Sequence, residues 1–189
     1  MIEWVLQADQ KFMLALNGLH HPYSDILWSN VSKTLSWLPL FAWLFYLIIK
    51  HYGRASWKIL ILVALLITAS DQTCNLAKNN FKRYRPCHHL SLQDKVHVVG
   101  ASCGGQYGFY SAHASNAFAI GVFLILLLRR KNKYVWRILL GYAISVSLSR
   151  IFLGVHYPLD VIAGAINGTL LAASCFVLFS RIHNKTAEA

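Results

Sequence analysis

The sequence predicts an all-α polytopic membrane bundle with five transmembrane helices, a sixth left open, and an amphipathic helix at the N-terminus. Three observations carry that prediction. Of 189 residues, 56% are hydrophobic and only 13% charged, where a soluble domain has about 25% charged residues. The mean hydropathy is +0.44, which excludes a disordered chain, since low hydrophobicity is what keeps a chain unfolded. The apolar residues also fall into long runs bracketed by basic clusters, the pattern in which membrane topology is written.

The N-terminal part mixes Trp4, Val5, Phe12, Leu14 and Leu16 with Glu3, Asp9 and Lys11 before His21-Pro22 breaks the pattern. Residues 1–33 are therefore expected to form interfacial helices, one amphipathic and a second near Ser24–Lys33. The chain starts acidic where a signal peptide is basic, so no cleaved leader is expected. Five runs follow. Lys33 to Lys50 enclose TLSWLPLFAWLFYLII, and Trp57–Ala77 is apolar apart from Lys58 and Asp71. Tyr110–Leu128 carries no Lys, Arg, Asp or Glu, Val135–Ser149 carries only Arg137, and Val161–Ser180 carries none. A helix of about 20 apolar residues spans a bilayer core, and snorkelling ends extend shorter runs. Residues 1–189 thus read as one membrane-embedded domain, with 79–110 as its long loop.

The net charge of +11 on a soluble chain would suggest nucleic acid; here the cations bracket spans, and no nucleic-acid partner is expected. Lys50, Arg54, Lys58, Arg129, Arg130, Lys131, Lys133, Arg137, Arg181 and Lys185 fall at one side of the bundle. By the positive-inside rule that side is cytoplasmic. Loop 79–110 and the short 150–157 loop then face outward from an inner, cytoplasmic membrane, toward a periplasmic or equivalent space.

The unusual residues gather at that outer side, in three segments. The chain reads Lys78-NNFKRY-Arg85-Pro86 after the second run, Tyr110-Ser111-Ala112-His113 at the third, and Ser149-Arg150-IFLGV-His156-Tyr157-Pro158-Leu159-Asp160 between the fourth and fifth. Lys78, Arg85 and Arg150 are fixed cations, and guanidiniums bind phosphate bidentately. Ser111 sits where an N-cap belongs, aiming the first free N–H groups of its helix outward as an anion site, with His113 in that first turn. Pro158 suits the first position of the last helix. His156 then stands just before it, and Asp160 can reach back to one ring nitrogen, fixing the tautomer and raising basicity. A nucleophile, a second histidine and three cations are the parts of a phosphoryl-transfer site, whose catalysis is positioning and charge stabilisation. The set calls for no metal and no cofactor. Lys82 and Arg83 read as snorkelling anchors. Asp71, two turns before Lys78, reads as either pairing with a nearby cation or supporting the site from below.

Lys-x6-Arg-Pro, Ser-x-His and Ser-Arg-x5-His-x3-Asp, in this order and topology, resemble the type 2 phosphatidic acid phosphatase family, which includes bacterial undecaprenyl-diphosphate and lipid A phosphatases. The resemblance implies that His156 forms a phosphohistidine, that His113 protonates the leaving oxygen and then activates water, and that Asp160 orients His156. It implies phosphate binding by Lys78, Arg85, Ser111 and Arg150, with the backbone N–H near Ala112. The family commonly has Pro-Ser-Gly-His where this chain has Tyr110-Ser111-Ala112-His113, so the approach to phosphate is narrower and one rigid φ is lost. The expected substrate is a membrane lipid phosphate: undecaprenyl diphosphate first, then lipid A, phosphatidylglycerophosphate and phosphatidate. From another class, a silent lipid-phosphate carrier would keep the anion site but need no nucleophile. Oligomeric state is left open.

The remaining features have structural readings. Gly164-Ala-Ile-Asn-Gly168 has the spacing of close helix packing. Asn167-Gly-Thr is a nominal glycosylation triplet inside a span. Cys74 and Cys175 fall in spans, whereas Cys87 and Cys103 share the outer loop, where a disulfide is compatible with an oxidising compartment.

Overall fold

The structure is a computed structural model describing residues 2–100 and 103–187; the side chains of Ile2 and of residues 182–187 fall outside that description, and His183 and Lys185 with them. Among the described residues the regular structure is helical, with no strand. In chain order the helices are α1 (Ile2–Asn17), α2 (Pro22–Ser32), α3 (Leu38–Tyr52), α4 (Ser56–Phe81), α5 (Ala112–Leu128), α6 (Val135–Phe152) and α7 (Pro158–Ala187), with short 3₁₀ turns at Thr34–Trp37, Gly53–Ala55 and Pro86–His88. Thr34–Phe81, Val135–Phe152 and Pro158–Arg181 are long and apolar enough to cross a membrane; Ala112–Leu128 is apolar but shorter. The apolar runs of the sequence coincide with α3 to α7.

The helix boundaries follow from local chemistry. Ser111 caps α5, its Oγ accepting from the Ala114 N–H at 3.4 Å. Pro158 opens α7, where its missing N–H costs nothing. Lys82, in the left-handed region at φ 46°, closes α4 by donating its N–H to the Lys78 carbonyl. Gly154, at φ +73°, makes the tight α6–α7 turn; a Cβ there would lie 2.6 Å from the His97 carbonyl oxygen. That turn brings the His156 N–H onto the Arg150 carbonyl at 3.2 Å.

Helix α5 is buried on most sides, with Ala114, Ala117, Phe123, Leu124 and Leu127 all inside, as expected of a central helix apolar all round. Leu44, Ile59, Phe123, Leu139 and Ala172 are members of one core contributed by α3 to α7. Outside it, Phe45, Ile61, Leu65, Ile144, Ile166, Leu170 and Leu178 are exposed, a lipid-facing surface on an integral membrane protein. Glycines set the α5–α7 spacing. A Cβ at Gly164 would stand 2.5 Å from the Ser111 carbonyl oxygen, and one at Gly168 would collide with that of Ser115. Between these glycines Asn167, inside α7, donates to Ser115 Oγ at 3.0 Å and Thr73 Oγ1 at 3.2 Å. Ser115 Oγ in turn shares a 2.6 Å hydrogen bond with Ser70 Oγ, so α4, α5 and α7 are tied by one polar cluster.

Helix α1 departs from a purely interfacial role. Its apolar side, with Trp4, Val5 and Phe12, is exposed, whereas Asp9, Met13 and Asn17 are buried. These three recur at four-residue spacing, so the stripe that faces the protein carries two polar residues. Asn17 donates to the carbonyls of His97 (2.8 Å) and Phe152 (3.0 Å) and accepts from the His97 N–H at 2.8 Å. It thereby fastens α1 to the long loop and to the end of α6.

Candidate active site

The C-terminal ends of α4 and α6 and the N-terminal ends of α5 and α7 meet at one end of the bundle, as the three sequence segments require. His156 is 2% exposed and Asp160 fully buried. His156 Nδ1 lies 3.4 Å from Asp160 Oδ2, which also accepts the Tyr157 N–H at 3.1 Å. With Nδ1 facing a carboxylate, Nε2 is the ring nitrogen left for chemistry. Burial pushes the imidazole down to about 4, against the upward pull of Asp160, so the ring is neutral at physiological pH. Ser111 is fully buried, its N–H donating to the Asp160 backbone carbonyl at 3.0 Å. The N–H groups of Ala112 and His113 open the first turn of α5, ahead of its intrahelical ladder.

His113 is exposed within electrostatic reach of Arg150, His156, Arg85 and Lys78. Arg85 is held by the long loop, donating from Nε to the Tyr107 carbonyl at 3.3 Å and from Nη1 to that of Cys103 at 3.1 Å. Burial lowers its pKa, and the Asp160 charge opposes that. Arg150 reaches across to donate to Ser32 Oγ of α2, while its Nε is buried without a protein partner. A guanidinium partly unsatisfied by protein is prepared for an anion's oxygens. Gly108 lies over this group: a Cβ there would be 3.1 Å from Arg85 Cγ, 3.3 Å from Asp160 Oδ2 and 3.5 Å from His156 Nδ1. Cys87 and Cys103 form a disulfide with Cα atoms 6.4 Å apart, tying the segment after Arg85 to the carbonyl that Arg85 grips. The loop histidines have other partners: His88 Nε2 is near the Gly104 carbonyl, His89 bonds Ser91, and His97 pairs with Asp25 at 2.8 Å.

One residue departs from expectation. Arg83 is no snorkelling anchor. Its Nη1 bonds Asp160 Oδ1 and its Nη2 bonds Asp9 Oδ2, each at 2.6 Å, and the guanidinium lies 4.2 Å from the centre of the Tyr157 ring. Burial works against its charge, but the two carboxylates more than offset that and hold its pKa above the ordinary value. Of the two roles expected of Asp71, pairing with a cation is not seen among the described residues; it accepts from Asn116 Nδ2 at 2.9 Å. Lys82, the neighbour of Arg83, is exposed as expected. Sequence spacing offered no means of separating Arg83 from Lys82, because the partner Asp9 is 74 residues away.

Below His113 lies a cavity of about 760 Å³, walled by Trp37, Phe41, Leu60, Val63, Ile120 and Tyr142 and reached by His113, Ala112, Asp71 and Asn116. It is mostly apolar, with Ser32, Thr34, Asp71, His113 and Asn116 as its polar lining, and through His113 it adjoins the cluster of Arg85, Arg150 and His156. A small ester needs no such space; a hydrocarbon chain attached to a phosphate does.

Among curated proteins, the chain is 35% identical over 174 residues to the lipid A 4′-phosphatase of Bacteroides thetaiotaomicron, covering 89% of this chain and 75% of that protein. It is 33% identical over 172 residues to the lipid A 4′-phosphatase of Porphyromonas gingivalis, covering 90% and 72%. The crystal structure of a transmembrane PAP2-type phosphatidylglycerolphosphate phosphatase from Bacillus subtilis shares the fold, with a TM-score of 0.71 at 21% identity over 96% of this chain and 87% of that one. The PAP2 superfamily model matches residues 57–184, a stretch containing all three phosphate-directed segments. The architecture, the meeting of those segments and this match lead to one conclusion: the chain belongs to the PAP2 superfamily and is a membrane phosphatase that hydrolyses phosphate esters.

Proposed function

We propose that this protein is a lipid A 4′-phosphatase working through a phosphohistidine on His156. The observation that carries the mechanism is the buried His156–Asp160 pair at the N-terminus of α7, with Nδ1 occupied and Nε2 free. In the first step Nε2 attacks phosphorus, the bond to the sugar oxygen breaks, and His113 gives that oxygen its proton. In the second, water attacks the phosphohistidine, His113 takes the water's proton, and inorganic phosphate leaves with His156 restored. Lys78, Arg85, Arg150, Ser111 and the Ala112 N–H hold the phosphate oxygens as charge moves onto them. Asp71, with Asn116, supports the cavity side of His113.

The motifs bind phosphate and do not rank the lipids; resemblance to short bacterial members of the family put undecaprenyl diphosphate first, and that order is here reversed. Supporting lipid A are two relatives so named, whose similarity spans about nine-tenths of this chain and extends beyond the family segment. The cavity beside His113 suits an acyl chain next to the phosphate. In this reading the chain is one membrane-embedded domain, α3 to α7 cross the inner membrane, and α1 and α2 lie at its outer surface with the site on the periplasmic side. Ten Lys and Arg residues at the opposite side and the loop disulfide support that orientation.

The test is phosphate release in detergent with excess chelator, from lipid A and from undecaprenyl diphosphate, with product masses assigning the phosphate lost. Chelator-resistant loss of the 4′-phosphate, abolished in His156→Ala, is the expected result. Faster turnover of undecaprenyl diphosphate would overturn the substrate, and activity persisting in His156→Ala would overturn the mechanism.

A further inference from the structure

We propose that Asp9 and Arg83 are positioning residues for the reaction at His156, which makes the N-terminal helix a working part of the site. The proposal rests on the reading of His156 as nucleophile and Asp160 as its orienting carboxylate.

Both carboxylate oxygens of Asp160 are engaged. Oδ2 serves His156 Nδ1 and the Tyr157 N–H, and Oδ1 is taken by Arg83 Nη1. Arg83 therefore fixes the rotation of the carboxylate that fixes the imidazole. Arg83 is itself held on two sides. Its second amino group lies 2.6 Å from Asp9 Oδ2, and the Tyr157 ring lies against its face. Asp9 contributes its other oxygen to α7, accepting the Leu159 N–H at 2.9 Å. That N–H is one of the first-turn donors left free by the helix geometry, so Asp9 caps the helix that follows His156. The side chains of Asp9 and Asp160 are 2% and 0% exposed, and that of Arg83 is 18% exposed, so water does little to loosen the arrangement.

The count of charges explains why two carboxylates share one guanidinium. Arg83 paired with Asp160 alone would neutralise the charge that His156 relies on when it becomes cationic during attack. Shared with Asp9, the trio keeps a net charge of −1, and Asp160 retains its pull on the imidazole. The other charged groups facing this pair are cations, Arg85 from the loop and Arg150 from α6, with Lys78 of α4 farther out, beside the His113 ring of α5. Arg85 and Arg150 disfavour an imidazolium, which leaves Asp160, with Asp9 behind it across Arg83, as the opposing charge. Asp9 lies outside residues 57–184 matched by the family model, so this contribution comes from a part of the chain that the family pattern does not cover.

The experiment compares wild type with Asp9→Asn, Arg83→Gln and Lys78→Ala, measuring phosphate release from lipid A, the pH profile of kcat/KM and inhibition by inorganic phosphate. Asp9→Asn and Arg83→Gln should each lower kcat by about ten- to a hundredfold, the scale of misplacing a reacting group. Their inhibition constants for phosphate should stay within about twofold of wild type, unlike that of Lys78→Ala, because neither residue touches phosphate. The acid limb should move in opposite directions: upward in Arg83→Gln, which removes a cation beside Asp160, and downward in Asp9→Asn, which removes an anion. Arg83→Lys and Asp9→Glu keep the charge and should leave the limb in place while recovering part of kcat. These two carry the test if the neutral variants do not fold. Unchanged kcat in both neutral variants, or loss of kcat with the limb moving the same way in both, would overturn the proposal. Turnover surviving in His156→Ala would instead remove the reading on which it rests.

Discussion

Helix α5 has two sides that could hardly differ more. Toward α7 it is closed: Gly164 and Gly168 admit the α5 backbone so closely that a methyl group would strike the Ser111 or Ser115 carbonyl, and Asn167 and Ser115 are hydrogen-bonded in the gap. On another side it is open, with Ala117, Ile120 and Leu124 lining a cavity of about 760 Å³ shared with α3, α4 and α6. The closed side carries the elements that fix His156 and Asp160; the open side is where the proposed function seats a lipid chain beside His113. In the proposed mechanism, rigidity where the nucleophile is oriented and free volume where a flexible substrate enters are opposite packing demands, and two sides of one helix meet them.

The comparison breaks most severely on the closed side. Gly168→Leu should destabilise the protein by about 3 kcal/mol or more, the upper range of overpacking, and abolish phosphate release by prising α7 from α5; thermal unfolding in detergent and the release assay check both. On the open side, Val63→Trp should fill the cavity without straining it. KM for lipid A should rise about tenfold, equivalent to about 1.4 kcal/mol, while turnover of a soluble phosphate ester such as p-nitrophenyl phosphate and the melting temperature stay near wild type. A rise in KM for both substrates would place the phosphate itself in that cavity and undo the contrast.

A finer test uses pH. In the proposed mechanism attack needs a neutral imidazole, so kcat/KM should be lost as pH falls through the pKa of His156 in the free enzyme. Burial sets that value at about 4, and the acid limb should therefore lie well below the ordinary histidine value of about 6.5. A limb near 6.5 would mean that the closed side is wetter than its packing indicates. The smallest effect is expected where neither side is touched. Lys82 is exposed at φ 46°, and Lys82→Gly should stabilise by under about 1 kcal/mol, with kcat unchanged.

Much of this contrast is legible in the sequence, though unevenly. Five apolar runs locate α3 to α7, because burial in lipid demands unbroken hydrophobicity. Ser111 and Pro158 announce the helix starts that aim the site, because their preferences are local. Gly164 and Gly168 announce close packing by spacing alone, and the span position of Asn167 fits a packing role better than a glycosylation site. What the sequence hides is long-range pairing. Arg83 and Lys82 are adjacent cations after the same helix, and only the turn made by Lys82 sends one to solvent and the other to two carboxylates. Asp9 reads as an ordinary polar residue of an interfacial helix, since nothing within eight residues on either side reveals that α1 presents its polar stripe inward. Asp71 draws notice as a charge in a span, but its partner is the amide of Asn116. The cavity leaves no trace either, being an absence of packing between residues that are individually good core formers.

The walls of that cavity have a kinetic consequence. They belong to membrane helices, so a lipid whose chain enters between them stays in the leaflet while its headgroup is hydrolysed. Encounter then takes place in two dimensions, and the quantity governing saturation is the mole fraction of substrate among its neighbours. Diluting the membrane with inert lipid should slow the enzyme at constant total substrate, as stirring more solvent into a beaker would slow a reaction in solution.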